Sequence, residues 1–396
     1  MTRLAILVSH PIQYFAPWHR EAAKLPSFDL RVFFFSRWGI SGAVDPGFGK
    51  PLIWDVPLLE GYEHEFLPMK EELSEMDFGR IDNPSVAEAL DRFNPDVVNV
   101  YGYAQRTNWR AARWAKSRRK PLLIYSDSNI RLQSLFRRIL KYPVVGRFYR
   151  YVDGAIYIGE RNRAYHAFYG LPPDRLFQGS LPVDTERLLT SAGDREITRR
   201  NVRERHGIPM DAFVVLFVGK LLPRKRPIDL VLAMDILRHR HPKLCLLFVG
   251  DGPLRQEVEA LCKSRGATNV VFSGFINQSE IASYYAASDA IALLSAAEPF
   301  GIVLSEAAVF GLPMLVSDIV GAIGAGDVAR PGESALVHRC GDVQQLAANL
   351  ESLMVNPDLY HRLAAASAEV ARNSDVRLAA RQLQEAVEAL TVLGKR

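Results

Sequence analysis

Short apolar runs rich in β-branched residues alternate with longer amphipathic stretches along almost the whole chain, and this alternation narrows the fold more than any other feature. Strands that are apolar on both faces must be covered on both faces. A series of them separated by helix-length segments therefore specifies βαβ units on parallel sheets. One series falls at residues 4–8, 30–35, 96–100, 122–125 and 155–158, and a second at 213–218, 244–249, 270–273, 290–294, 314–316 and 335–338. Between them lies a charged stretch, 194–205, suited to connect two α/β cores. The expected division is a first Rossmann-like domain over 1–190 and a second over 191–373. A final helix, 374–396, is free to cross back onto the first domain. Doubly wound sheets carry their ligand crevices at the carboxyl ends of their strands, so chemistry is expected in the strand-to-helix loops and in a cleft where the two domains face each other.

A length of 396 residues with 48% hydrophobic and 23% charged residues fits a globular chain of two domains or three and excludes a small stapled module. No apolar run approaches the ~20 residues of a membrane-spanning helix. The start, Met1 to Val8, reads as a strand ended by Ser9-His10-Pro11 and not as a signal peptide. Cys245, Cys262 and Cys340 are far apart and odd in number, which fits a reduced compartment, so the cytoplasm is the expected address. No short-period repeat is present, which argues against a solenoid or propeller.

Two loops carry the chemistry. In Glu298-Pro299-Phe300-Gly301-Ile302-Val303-Leu304-Ser305-Glu306 two carboxylates are separated by seven residues, the first in a loop and the second inside the next helix. At ~1.5 Å of rise per residue, the helical part sets them up to about 10 Å apart, a spacing for two distant hydroxyl-bearing rings of one ligand. Between them the amides around Phe300 and Gly301 open a helix, a ready phosphate site. Flanking apolar residues argue against Glu306 as a merely solvated helix acid. The second loop is Gly219-Lys220-Leu221-Leu222-Pro223-Arg224-Lys225, directly after an apolar strand. Lys220 and Lys225 can converge there on one diphosphate, the alternative being a basic surface turn. It is not a Walker loop, since the spaced glycines and Gly-Lys-Ser/Thr ending are missing. No Asp-x-Asp pair, His-Glu-x-x-His or spaced Cys/His cluster offers metal ligands, so no metal is expected.

At these stretches the chain resembles family 4 of the retaining, nucleotide-sugar-dependent glycosyltransferases, which have the two-domain GT-B fold. The glutamate pair is that family's most specific signature. Further similarity lies in Gly250-Asp251-Gly252-Pro253, Ser273-Gly274-Phe275, Tyr285-Ala286-Ala287-Ser288-Asp289 and Gly311-Leu312-Pro313 through Asp318. It is strong over about 213–355 and weaker before.

The resemblance implies a metal-independent hexosyltransferase without a cofactor, taking its sugar from a UDP- or GDP-linked donor and passing it, with retained configuration, to a hydroxyl in glycan, polysaccharide or glycolipid assembly. It implies that Glu306 accepts from ribose hydroxyls, Glu298 from sugar hydroxyls, and that Lys220 and Lys225 hold the diphosphate with the amides of Phe300 and Gly301. Gly219 and Ile302 border that site, and the backbone at Phe275 or Ile276 meets the base. The alternative class is a GT-B-like binding or scaffold protein without turnover, against which the intact glutamate pair and lysines argue.

Three departures stand out. Lys220 replaces the family's more usual arginine, keeping charge without the bidentate fork. The first loop reads Ser9-His10-Pro11-Ile12-Gln13-Tyr14 in place of a glycine-rich turn, which marks His10 and Gln13 as acceptor-side candidates. Asp127 stands where many members carry a histidine; it binds a donor hydroxyl, receives the acceptor's proton, or caps the following helix.

The net charge of +5 is uneven: residues 101–175 hold sixteen Lys or Arg against four acids. Within them, 130–151 mixes apolar residues and cations at helical spacing. That suits either a peripheral helix on the anionic inner face of a membrane, near a lipid-linked acceptor, or a helix packing its apolar stripe on the sheet. No nucleic-acid module surrounds these residues, and no nucleic-acid partner is expected.

Overall fold

The computed structural model describes residues 1–42, 44–45, 50–51, 53–71, 77, 79–132 and 135–393, which fall into two compact units. The first takes the described residues up to Asp184 and those from Ser374 onward; the second takes Thr185–Asn373.

The first unit holds β1 (Thr2–Val8), β2 (Phe28–Phe34), β3 (Val44–Asp45), β4 (Lys50–Pro51), β5 (Glu63–Phe66), β6 (Val97–Tyr101), β7 (Leu122–Tyr125), β8 (Gly154–Tyr157) and β9 (Leu176–Gln178). Its helices are α1 (Phe15–Ala23), α2 (Val86–Phe93), α3 (Arg106–Ser117), α4 (Leu135–Tyr149) and α5 (Glu160–Phe168). Seven of the strands form one parallel sheet in the order β5-β2-β1-β6-β7-β8-β9, while β3 and β4 pair antiparallel. The central strands are buried on both faces, as Leu4 to Leu7 and Leu122 to Ile124 show, which is why they read as unbroken apolar runs.

The second unit begins with α6 (Thr185–Ala192) and α7 (Arg195–Arg205). Its strands are β10 (Phe213–Val218), β11 (Leu244–Val249), β12 (Val270–Gly274), β13 (Ala290–Leu293), β14 (Met314–Ser317) and β15 (Ala335–His338). Its other helices are α8 (Pro227–Leu237), α9 (Arg255–Ser264), α10 (Ile281–Ala286), α11 (Ile302–Val309), α12 (Val343–Val355) and α13 (Pro357–Ala371). Six parallel strands lie in the order β12-β11-β10-β13-β14-β15. The last helix, α14 (Val376–Leu393), returns to the first unit. Its stripe of Leu383, Ala386, Val387 and Leu390 is buried, it packs on α1, and Ser180 Oγ donates to Gln382 at 3.1 Å.

Every strand of both expected series is present within one or two residues of its expected limits. The structure adds β5 and β9 at the two edges of the first sheet. The charged stretch 194–205 is not a connector between cores. It is α7, anchored inside the second unit, and the break falls earlier, at Asp184. Arg203 is fully buried; it donates to the carbonyls of Ala287 and Ala212 and pairs with Asp289 at 2.8 Å, while Arg199 takes the other oxygen of Asp289 at 2.7 Å. A charged helix is therefore held by satisfied buried polar groups and not by an apolar stripe.

Past the sheet edge the loops of the second unit continue the ladder. Gly219 N donates to Val249 O at 2.9 Å, Leu221 N to Asp251 O at 3.0 Å and Gly250 N to Gly274 O at 2.8 Å. This approach leaves no room for a side chain: a Cβ at Gly250, whose φ is +135°, would lie 2.0 Å from the Gly219 carbonyl oxygen. Gly207, at φ +65°, has open space around it. Gly250→Ala should therefore cost at least ~3 kcal/mol in urea unfolding, against about 1 kcal/mol for Gly207→Ala, where only backbone strain acts. Equal costs would show that the loops do not pack this closely.

Candidate functional site

The strand order of the second sheet reverses between β10 and β13, which pair directly, and at such a reversal the loops leaving the two strands diverge to open a crevice. Both loops singled out from the sequence leave there. The β10 loop runs through Gly219 and Lys220 into a 3-10 turn, Pro223–Lys225, and the β13 loop runs from Ser295 to Gly301 into α11.

The two loops are tied together. Ala296 N donates to Arg224 O at 2.8 Å, and the Lys225 ammonium donates to Glu298 Oε2. Both side chains of that ion pair are largely buried, and Ser295 Oγ donates to the same carboxylate oxygen at 3.1 Å. The loop after β14 closes the other side, with Gly321 N donating to Glu298 O and Ala322 N to Phe300 O, both at 3.1 Å. Glu298 thus stands in a frame built from three strands, paired with the lysine expected to hold the diphosphate. Lys220 is half-buried in the same β10 loop.

Gly301 opens α11 at φ +106°, with no side chain capping the helix. A Cβ there would sit 2.5 Å from Leu293 Cδ2 and 3.5 Å from Glu298 Cγ, so glycine is required both by the turn and by the packing. The first turn of α11 leaves amides beside the Lys225–Glu298 pair, at the positive end of the helix dipole. Phe300 is buried and Ile302 half-buried at that end.

Glu306 lies on α11. Tyr285 Oη donates to its Oε2 at 2.6 Å, and Tyr285, fully buried, stacks on Phe310 at 5.8 Å. Burial raises the Glu306 pKa above the usual carboxylate value, opposed by the Tyr285 hydrogen bond and by the charge of Arg187 from α6. Arg187 is itself held on Gln278 O at 2.7 Å, next to the half-buried Phe275, Ile276 and Asn277 that follow β12. Reasoning from sequence missed Tyr285, Arg187 and Ser295 as partners of the acids. Tyr285 stood inside a stretch already noted for its similarity, whereas nothing local marks Arg187, which reaches the site only through packing of α6 on α10 and α11.

The acceptor-side candidates lie in the first unit at the carboxyl edge of its sheet. His10 follows β1, its Nδ1 2.8 Å from Ser9 Oγ and its ring edge-on to Trp38 at 6.3 Å. Burial pushes its pKa down to about 4, so the ring is neutral at ordinary pH and suits hydrogen bonding, not pairing with an anion. Gln13 is half-buried just before α1. Asp127 is exposed after β7; burial raises the pKa of Tyr103 and the Asp127 charge adds to that rise. The turn that follows is capped by Asn129, whose Oδ1 accepts from Arg131 N at 2.8 Å. A cavity of about 750 Å³ in this unit, lined by Thr2, Asp96, Pro121 and Asp153, lies at the opposite, amino edge of the sheet and plays no part in the site.

These two parallel-sheet units define the GT-B fold of glycosyltransferases. Residues 198–370 match the family model described as glycosyl transferases group 1, a span that contains Lys220, Lys225, Glu298 and Glu306 but not Arg187. HepE of Anabaena, solved with UDP and with UDP-glucose, superimposes over 98% of this chain and 100% of its own, with TM-scores of 0.75 and 0.72 at 18% identity. Among curated proteins, the D-inositol 3-phosphate glycosyltransferase of Rhodococcus erythropolis is 32% identical over 219 residues, 53% of this chain and 48% of that protein. An uncharacterised glycosyltransferase of Methanocaldococcus jannaschii is 37% identical over 122 residues, 31% of each chain. The chain thus spans about a third to a half of the length of these curated relatives.

A carboxyl whose pKa is raised by folding costs stability above that pKa, and the cost fades as pH falls toward the unfolded value. Glu306→Gln keeps an oxygen for Tyr285 and removes the buried charge. The variant should melt above the wild type at pH 7.5, and the gap should shrink toward pH 5 in calorimetry. A gap that is absent or unchanged with pH would remove Glu306 from its desolvated position.

Proposed function

We propose that this protein is a glycosyltransferase moving a sugar from a UDP- or GDP-linked donor to an acceptor hydroxyl with retention of anomeric configuration, in assembly of a glycan, polysaccharide or glycolipid. The observation that carries the reading is the Lys225–Glu298 pair at the strand-order reversal, beside the uncapped start of α11 and one helix face from Glu306. The group 1 match over the same residues supports it, as does HepE, a structural neighbour solved with UDP-glucose.

In this reading the incoming diphosphate takes over Lys225, with Lys220 and the amides of Phe300 and Gly301 completing its cradle, and Glu298 is released to accept from hydroxyls of the sugar. Glu306, oriented by Tyr285, receives the ribose hydroxyls; the base lies along the backbone of Phe275 and Ile276, with Gly219 and Ile302 bordering the phosphates. Breaking the bond from anomeric carbon to diphosphate builds charge on the leaving oxygen, which fixed cations and helix amides stabilise without reorganising and without a metal or cofactor. The acceptor oxygen bonds to the same face of that carbon, and its proton passes to the departing phosphate oxygen. Neutral His10, with Gln13, hydrogen-bonds the acceptor.

Titration calorimetry with UDP- and GDP-sugars tests the donor site. Lys225→Ala and Glu306→Ala should each weaken binding at least tenfold, about 1.4 kcal/mol. Slow donor hydrolysis by the wild type, lost in Glu298→Ala, separates a working transferase from an inert binding protein. Unchanged affinity in both binding variants would overturn the site.

A further inference from the structure

The helix α4 presents two unlike faces. Its inner side is ordinary: Val145, Phe148 and Tyr149 are buried in the core of the first unit, Phe148 meets Trp109 edge-on at 5.0 Å, and Tyr149 Oη is 2.8 Å from His166 Nδ1. Its outer side is not. Phe136, Ile139, Leu140 and Val144 are 69%, 58%, 62% and 60% exposed, and with Pro143 and Arg147 they follow one another at i, i+3, i+4, i+7, i+8 and i+11, a single outward stripe. A surface helix normally turns such a stripe inward. Here the inward face is already occupied by other apolar residues, so the outward one is surplus to folding.

Charge identifies what covers it. From Ser128 to Val152 the chain has six Lys or Arg and no acid, and Arg131, Lys141, Arg147 and Arg150 are exposed around the stripe. Two copies pairing face to face would bring these cations against their own counterparts, whereas a plane of anionic headgroups offers each a partner while the apolar stripe enters the acyl boundary. The helix is fifteen residues, and no described helix is long and apolar enough to cross a membrane, so the geometry is that of a helix lying flat.

We propose that α4 docks this protein on an anionic phospholipid bilayer, with Phe136, Ile139, Leu140 and Val144 at the headgroup–acyl boundary and the four exposed cations on lipid phosphates. The helix follows β7 through Asp127, leaving the same carboxyl edge of the sheet as His10. A bilayer held there lies beside the acceptor-side residues and favours an acceptor displayed at the membrane surface. The docking goes beyond the donor reading and does not depend on it.

Full-length protein is sedimented with vesicles of phosphatidylcholine alone and of equal parts phosphatidylcholine and phosphatidylglycerol. The anionic vesicles should bind at least about tenfold more protein, with the excess falling as salt rises. Phe136→Ser/Leu140→Ser and Lys141→Glu/Arg147→Glu should each reduce that binding about tenfold. Both leave the melting temperature unchanged, since the altered side chains are exposed. Absence of binding to anionic vesicles, or equal binding to neutral ones, overturns the proposal. So does a lipid-free dimer in sedimentation velocity that the serine variant dissolves, which would make a second copy the occupant.

Discussion

The ion pair between Lys225 and Glu298 spans the one place in the second sheet where consecutive strands send their loops apart, and the rest of the candidate site is arranged around it. A gap between diverging loops would otherwise collapse or fill with water. Here an ammonium from one loop meets a carboxylate from the other, reinforced by Ser295 and by backbone bonds from Arg224, Gly321 and Ala322. A largely buried pair adds little net stability, because desolvating both charges offsets much of their attraction, yet leaving either alone is costly. That asymmetry suits a place-holder. Under the proposed function, a diphosphate replaces the carboxylate on Lys225 without stranding the ammonium, and sugar hydroxyls then replace the ammonium on Glu298.

The two glutamates therefore do different physical work although only seven residues separate them in one motif. Glu298 is met by a cation in direct contact with it. Glu306 is desolvated on α11 with a phenol and a more distant guanidinium as its partners, so burial prevails and its pKa is raised. Carboxylates strained in this way recur at binding sites, where an incoming ligand supplies the hydrogen bonds that folding withholds. Under the proposed function, the ribose hydroxyls are what Glu306 lacks.

What could be read from the sequence follows the range of the interactions involved. Central strands such as β1 from Leu4 onward and β10 are covered on both faces, so their residues form unbroken apolar runs that announce them. The edge strand β5, Glu63–Phe66, has the sequence Glu-His-Glu-Phe, in which polar residues outnumber the apolar one; only pairing with β2 makes it a strand. The stretch 194–205 looks like a linker because a helix anchored through Arg199 and Arg203 on Asp289 carries no apolar stripe. In the candidate site, the sequence marks Lys220, Lys225 and Glu298 because they lie in strand-to-helix loops, and Glu306 because it lies in the helix that follows. The direct contact of Lys225 with Glu298 joins residues far apart in the chain, as does the reach of Arg187 to Glu306, and neither leaves a local signal.

The segment 130–151 shows the same limit from the other side. A periodic mixture of apolar and basic residues is equally compatible with a stripe buried on the sheet and with one facing outward, because a helix has two faces and periodicity alone does not say which is turned to the core. The structure decides between them through Val145, Phe148 and Tyr149, which fill the inner contact and leave Phe136, Ile139, Leu140 and Val144 on the outside. Exposed apolar side chains of this size raise the tendency to aggregate, and a ring of cations around them opposes self-association while favouring an anionic plane. An outward stripe kept in that setting is therefore better explained by a surface that compensates both features at once than by either a second copy or bare solvent.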